Sequence, residues 1–142
     1  MQPQADEFDW METVLNDGFP AGAREITDNL AVNGYWKGMH IYMQEGDEIA
    51  RELVIYEVQC GQRAAAVTLD WQEINYGEGW ESEAGEDPLE MNGAFDTGSV
   101  TCFVDNAQLE LDHFWELDGV QYAVGVLTMD SGGYAYVGLI RP

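Results

Sequence analysis

Alternating apolar and polar residues, interrupted by short turn signals, fill most of this chain. The alternation predicts strands at about 31–43, 50–60, 63–76, 93–104, 107–117, 120–129 and 134–140. Connections such as Asp118-Gly119 and Ser131-Gly132-Gly133 suit tight hairpins, because Asp and Gly tolerate positive φ. Short connections join antiparallel neighbours, so the sequence predicts a meander and excludes a parallel α/β sheet, which needs long helical crossovers.

A meander of this length has two edge strands, whose unpaired backbone groups promote aggregation unless the sheet closes. We therefore expect a mainly β fold of 7–8 antiparallel strands, either an up-and-down, lipocalin-like barrel or a rolled sheet plugged by a short N-terminal helix. That helix is predicted over residues 5–16, where Phe8 and Met11 share a face. The expected single domain has residues 1–30 packed on a barrel of residues 31–142.

Two strands carry details that the structure can test. In 107–117, five residues in phase are expected to share one face; they are Leu109, Leu111, His113, Trp115 and Leu117. In 63–76 the apolar phase changes after Trp71, which predicts a β-bulge at Gln72 or Glu73.

The charge of the chain limits its partners. It has 27 Asp and Glu against 5 Lys and Arg, a formal net charge of −22. Such a surface repels phosphate backbones and anionic lipid, so we expect neither nucleic acid nor an anionic membrane surface as a partner. An unidentified small molecule or protein is the expected partner. No uncharged apolar run approaches the ~20 residues of a membrane helix.

The location of the protein rests on two sequence features. The acidic N-terminal residues lack the basic and apolar regions of a signal peptide, so we expect a cytoplasmic protein or one whose leader or anchor is removed. The segments DEFDWMETVLNDGFPAGAREITD, NGYWKGMHIY, VTLDW and ELDGVQYAVG…YVGLIRP resemble a group of uncharacterised bacterial proteins. In that group a similar β-rich domain is the extracytoplasmic part, behind a membrane anchor and sometimes a zinc-ribbon segment. The resemblance implies an extracytoplasmic location and no catalytic residue.

One motif suggests a serine protease. Asp130-Ser131-Gly132-Gly133 matches the sequence around the nucleophile of chymotrypsin-like serine proteases, and His40 and Asp70 precede it in that family's order. The chain is too short for two barrels with a substrate cleft between them. The motif instead predicts a hairpin turn.

Histidines and tryptophans are the candidate ligand-binding residues. If His40 and His113 both face the barrel interior, they can meet as a metal-binding or acid–base pair; the alternative is that each is a core histidine bonded to a backbone or carboxylate group. Tryptophans can stack on sugars, or fill the core. The predicted ligand-binding set is Trp36, His40, Trp80, His113 and Trp115.

The connection at 77–92 concentrates carboxylates around Trp80. The candidate metal ligands are Glu78, Glu81, Glu83, Glu86, Asp87 and Glu90. Calcium takes six to eight oxygens, but the D-x-D-x-D-G spacing of a calcium loop is missing, so weak calcium binding is the one cofactor considered. The same acids suggest a glycosidase-like hydrolase, which needs two carboxyls roughly 5–9.5 Å apart. A solvated acidic loop is the third interpretation.

These observations favour a binding or interaction module without catalytic activity, which uses the barrel mouth or the 77–92 loop. The carboxylate-dependent hydrolase and the weak calcium-binding module remain the alternatives. Cys60 and Cys102 are expected near the same sheet end with one strand between them, and whether they form a disulfide stays open.

Overall fold

Nine strands cross the part of the chain that the computed structural model describes, residues 3–76 and 88–142. They are β1 (Arg24–Glu25), β2 (Gly34–Gln44), β3 (Asp47–Cys60), β4 (Ala64–Tyr76), β5 (Leu89–Asp96), β6 (Ser99–Val104), β7 (Ala107–Leu117), β8 (Val120–Met129) and β9 (Tyr134–Arg141). The helical segments are a 3₁₀ turn at Ala5–Phe8, α1 at Trp10–Asp17 and a second 3₁₀ turn at Asn29–Val32.

Strands β2 to β9 form a closed antiparallel barrel of eight strands. Each strand pairs with the next along the chain, and β9 pairs with β2 to complete the circle. The short β1 pairs with the part of β7 that extends beyond β6, with Arg24 opposite Glu116. The predicted meander and barrel are therefore confirmed, and closure removes the edges of an open sheet.

The predicted strand at 93–104 is wrong in one respect, because it is two strands. Thr97 and Gly98 have φ values of 28° and 82° and form the tight turn between β5 and β6. This extra hairpin supplies the eighth strand of the barrel. The Asp96-Thr97-Gly98 sequence is a turn signal in its own right, but its position inside an alternating stretch concealed it.

The N-terminal helix covers the outside of the barrel and does not plug it. Phe8 and Met11 pack on outward-facing side chains of two neighbouring strands, namely Met39, Ile41 and Leu53. A Cβ on Gly138 would lie 2.3 Å from the Met11 sulfur, so this glycine lets α1 approach the wall closely. In the residues described, neither α1 nor another helix is long and apolar enough to cross a membrane.

The pairing register shifts at three places in the barrel, and two of these β-bulges bear on the sequence predictions. In β4, Gln72 is the extra residue between the pairs Leu53–Glu73 and Val54–Trp71, which confirms the predicted bulge. In β7, the register shifts between Leu111 and His113, with Asp112 as the extra residue.

The bulge in β7 corrects the predicted face of that strand. Leu109 and Leu111 point into the barrel, but beyond the bulge the phase reverses and Phe114 takes the inward position. His113 is therefore exposed. Trp115 is buried on the outer wall, where the rings of Trp10, Phe19 and Tyr122 contact it.

The second 3₁₀ turn and Arg141 meet at one end of the barrel. The Arg141 guanidinium lies 4.0 Å from the centre of the Trp36 ring and donates hydrogen bonds to the carbonyls of Asn33, at 2.7 Å, and Ala31. Burial lowers the pKa of this guanidinium from its usual range. We call this end the floor. The opposite end, at the β2–β3 and β8–β9 hairpins, is the mouth.

Both cysteines are buried free thiols. Two strands, β4 and β5, separate their strands, whereas the sequence predicted one. Burial, and to a lesser extent the nearby Cys60, raises the pKa of Cys102 to about 11, and burial also raises the pKa of Cys60. Neither group is therefore an activated nucleophile.

Candidate functional site

A polar cluster lies in the barrel interior between the mouth and the floor. Alternate residues of β2 point inward because successive side chains of a strand leave opposite faces, which places His40 and Tyr42 inside. β3 pairs with β2 so that Glu52 is opposite His40, and Tyr56 is the second inward position beyond Glu52 towards the floor. We call His40, Tyr42, Glu52 and Tyr56 the polar cluster.

His40 joins the other members of the cluster. Its Nδ1 lies 2.6 Å from Glu52 Oε1 and its Nε2 lies 2.6 Å from the Tyr56 hydroxyl. The Tyr42 hydroxyl donates to the same Glu52 oxygen at 3.0 Å. A neutral imidazole that donates from Nδ1 to Glu52 accepts the Tyr56 proton at Nε2, so both ring nitrogens have partners in this tautomer.

A glycine makes room for the lower part of the cluster. A Cβ on Gly38 would lie 3.1 Å from a carbon of the Tyr56 ring and 3.0 Å from a methyl of Leu139. Burial, and then the nearby Tyr42 and Glu52, raises the pKa of Tyr56 well above its usual range. Tyr56 therefore keeps its proton and remains a hydrogen-bond donor to His40 at neutral pH.

The burial of this cluster distinguishes it from a surface ion pair. His40 is 0% exposed and Glu52 is 5% exposed. Replacing both partners of a buried polar interaction by apolar side chains of similar shape is often neutral or stabilising, so stability does not explain why a barrel core contains one. Buried titratable groups in close contact beside a cavity are typical of functional sites.

A cavity of about 440 Å³ opens at the mouth, and Tyr42 of the polar cluster is one of its lining residues. The tips of the β2–β3 and β8–β9 hairpins form it, and its walls include Tyr42, Met43, Glu45, Ile49, Met129 and Tyr134. Tyr42 therefore lines the cavity with one side and bonds Glu52 with its hydroxyl. The volume lies within the range of small-molecule sites, roughly 300–1,000 Å³.

The Ser131-Gly132-Gly133 segment forms the rim of this cavity. It is the predicted hairpin turn, since the Gly132 N–H donates to the Met129 carbonyl at 3.0 Å and the Met129 N–H donates to the Gly133 carbonyl at 2.9 Å. His40, which the serine-protease interpretation paired with this motif, instead hydrogen-bonds Glu52 and Tyr56.

The structure separates the residues that the sequence suggested as a single ligand site. His40 is in the polar cluster, and Trp36 lies at the floor beneath Arg141. His113 is on the outer wall, 46% exposed at its side chain, with its Nδ1 3.8 Å from a Glu25 carboxylate oxygen. Trp115 is also on the outer wall. The two histidines therefore do not meet inside the barrel; His40 fits the alternative of a core histidine bonded to a carboxylate, and His113, being exposed, does not.

Most of the suggested acidic loop falls outside the described residues. That holds for Trp80 and for the carboxylates Glu78, Glu81, Glu83, Glu86 and Asp87. Glu90 is described; it is exposed on β5, opposite Thr68. Among residues 3–70 and 88–142, whose side chains the structure describes, no group of three or more His, Cys, Asp or Glu side chains is arranged to hold a metal ion. Calcium binding by the loop stays a prediction.

Sequence reasoning missed three of the four cluster residues. Glu52 and Tyr56 occur in phase with Val54, so a charged residue at an inward position was visible in the alternation. Its pairing with His40 depends on the register of the hairpin, which the Glu45-Gly46 turn sets. A carboxylate in phase with apolar strand residues is the signal that would have found the cluster.

Comparisons with known proteins do not assign this chain to a family. No protein-family model matches the chain, and the search of curated proteins found no match.

Proposed function

We propose that the protein is a binding module that takes a small molecule into the cavity at the barrel mouth, without catalysing a reaction. The observation that carries this proposal is the double role of Tyr42, which lines the cavity and bonds the buried Glu52. A ligand in the cavity therefore meets the polar cluster through a single side chain. The resemblance to extracytoplasmic domains supports the further proposal that the protein acts outside the cytoplasm.

The chemistry of the cavity suits an amphipathic ligand. Met43, Ile49 and Met129 offer apolar and polarizable surface, and methionine adapts to irregular ligand shapes. Among its polar groups, the Tyr42 hydroxyl is held in place by its hydrogen bond to Glu52.

A thermal-shift screen with a small-molecule library tests the proposal. Ligands that raise the melting temperature of the wild type should lose their effect on Ile49→Trp, because the indole fills the cavity. A matched control is Gln59→Trp, which adds the same indole to an exposed position on the same strand near the floor. At a hundredfold excess over Kd, a ligand is expected to stabilise the wild type by about 2.7 kcal/mol.

Two results would count against binding at the mouth. In the first, no compound stabilises the wild type. In the second, the active compounds stabilise Ile49→Trp as much as they stabilise Gln59→Trp, which would place their site elsewhere.

A further inference from the structure

We infer that the ligand of the mouth cavity is a small organic cation with an apolar or aromatic body. This inference rests on the proposed function and names the chemical class of its ligand. Three independent features of the described residues support it: the charge around the cavity, the nature of its walls, and the carboxylate that accepts a hydrogen bond from Tyr42.

The charge at the mouth is negative. Glu45 lines the cavity and Glu52 accepts a hydrogen bond from the lining residue Tyr42, while none of the described lining residues is Lys or Arg. Three basic side chains are paired with carboxylates and two lie at the floor end, and none of these five lines the cavity. They are Arg24, Lys37, Arg51, Arg63 and Arg141. The net charge of −22 therefore attracts cations to a cavity whose described lining has no basic residue, and Arg51, on the β2–β3 hairpin, is paired with Glu48.

The side chains that form the cavity walls can stabilise an organic cation. The aromatic residues Tyr42 and Tyr134 line it, and a cation over an aromatic ring is attracted by the electron density of the ring face. Met43 and Met129 add polarizable thioethers beside them. Rings and thioethers also accept the apolar part of such a ligand.

The Glu52 carboxylate, which accepts a hydrogen bond from Tyr42, favours a cationic ligand over an anionic one. Glu52 Oε1 accepts hydrogen bonds from His40 and from Tyr42, so its charge lies next to the cavity wall and is held in position. A ligand ammonium gains from this carboxylate and from Glu45, whereas a ligand carboxylate is repelled by both. A neutral alcohol of the same shape makes the same contacts with the walls but lacks the electrostatic attraction to the two carboxylates.

Three probes that share one ring and differ in charge test the inference: benzylammonium, benzyl alcohol and benzoate. The wild-type protein, labelled with ¹³C at its methionine methyls, is titrated with each probe at about 0.15 M salt to screen the general field. Benzylammonium should shift the Met43 and Met129 resonances and leave those of Met39 and Met91 in place. Its Kd should be about tenfold lower than that of benzyl alcohol, with no saturable effect of benzoate.

Two variants distinguish the contribution of the cavity to benzylammonium binding from that of the overall charge of the protein. Glu45→Gln should weaken benzylammonium about threefold or more and leave benzyl alcohol unchanged. Asp118→Asn is the matched control, because it removes one carboxylate from the turn at the floor end. Both positions have positive φ, 51° at Glu45 and 53° at Asp118. The control should bind benzylammonium like the wild type.

The outcomes distinguish the inference from the proposed function. If benzyl alcohol or benzoate shifts the mouth methyls with the same affinity as benzylammonium, the cation inference is overturned and binding at the mouth stands. If Asp118→Asn weakens benzylammonium as much as Glu45→Gln, the preference belongs to the whole surface and the inference is likewise overturned. If no probe shifts Met43 or Met129, both proposals are overturned.

Discussion

His40→Leu is expected to destabilise the folded protein by about 3–5 kcal/mol, because it leaves the Glu52 carboxylate buried without its main partner. The Tyr56 hydroxyl loses its acceptor in the same variant. Denaturant unfolding at neutral pH, followed by tryptophan fluorescence, measures the loss.

The control for this result removes the carboxylate as well. In the double variant His40→Leu with Glu52→Met, no unpaired charge remains, and about 2 kcal/mol or more of the loss should return. The remaining deficit is expected from the unpaired Tyr56 hydroxyl, since an unsatisfied buried donor costs about 1–3 kcal/mol. A single variant as stable as the wild type, or a double variant less stable than the single, would contradict the described geometry.

Gly125→Ala is expected to destabilise the barrel by about 3 kcal/mol or more. A Cβ at this position would lie 1.9 Å from the carbonyl oxygen of Glu110, which belongs to the neighbouring strand β7. Because the obstructing atom is backbone, the strands must move apart where they approach closely. Denaturant unfolding again gives the magnitude.

A second glycine serves as the matched control. Gly61 lies in the β3–β4 turn, and a Cβ there would lie 3.9 Å from its nearest neighbour, the Ala64 carbonyl oxygen. Gly61→Ala should therefore leave the free energy of unfolding within about 0.5 kcal/mol of the wild type. If both variants lose the same free energy of unfolding, the close approach of β7 to β8 at Gly125 does not explain the need for a glycine there.

The barrel could be predicted from the sequence because its strands alternate clearly and its turns carry Asp and Gly. Even the bulge at Gln72 was visible, as a change of apolar phase within one strand. The bulge at Asp112 was not, because His113, Trp115 and Leu117 continue the apparent alternation of Leu109 and Leu111. Phe114, out of phase, was the one sign that the inward face changes within β7.

The site was harder to predict than the fold, since it depends on pairing between strands. His40 fits the interpretation of a core histidine bonded to a carboxylate, but the sequence did not identify Glu52 and Tyr56 as its partners. Residue type does not reveal which side chains meet across a barrel. The β2–β3 register determines that, and it brings a carboxylate 12 residues away in sequence into contact with the imidazole.

The affinity of Glu52→Gln for benzylammonium tests the central claim most directly, that the polar cluster serves a ligand at the mouth. Glutamine keeps the volume of the side chain and an oxygen that accepts from His40 and Tyr42, but it removes the buried negative charge. If the account is correct, the folded variant binds benzylammonium about tenfold more weakly than the wild type, with its affinity for benzyl alcohol unchanged. An unchanged affinity for benzylammonium would contradict the account.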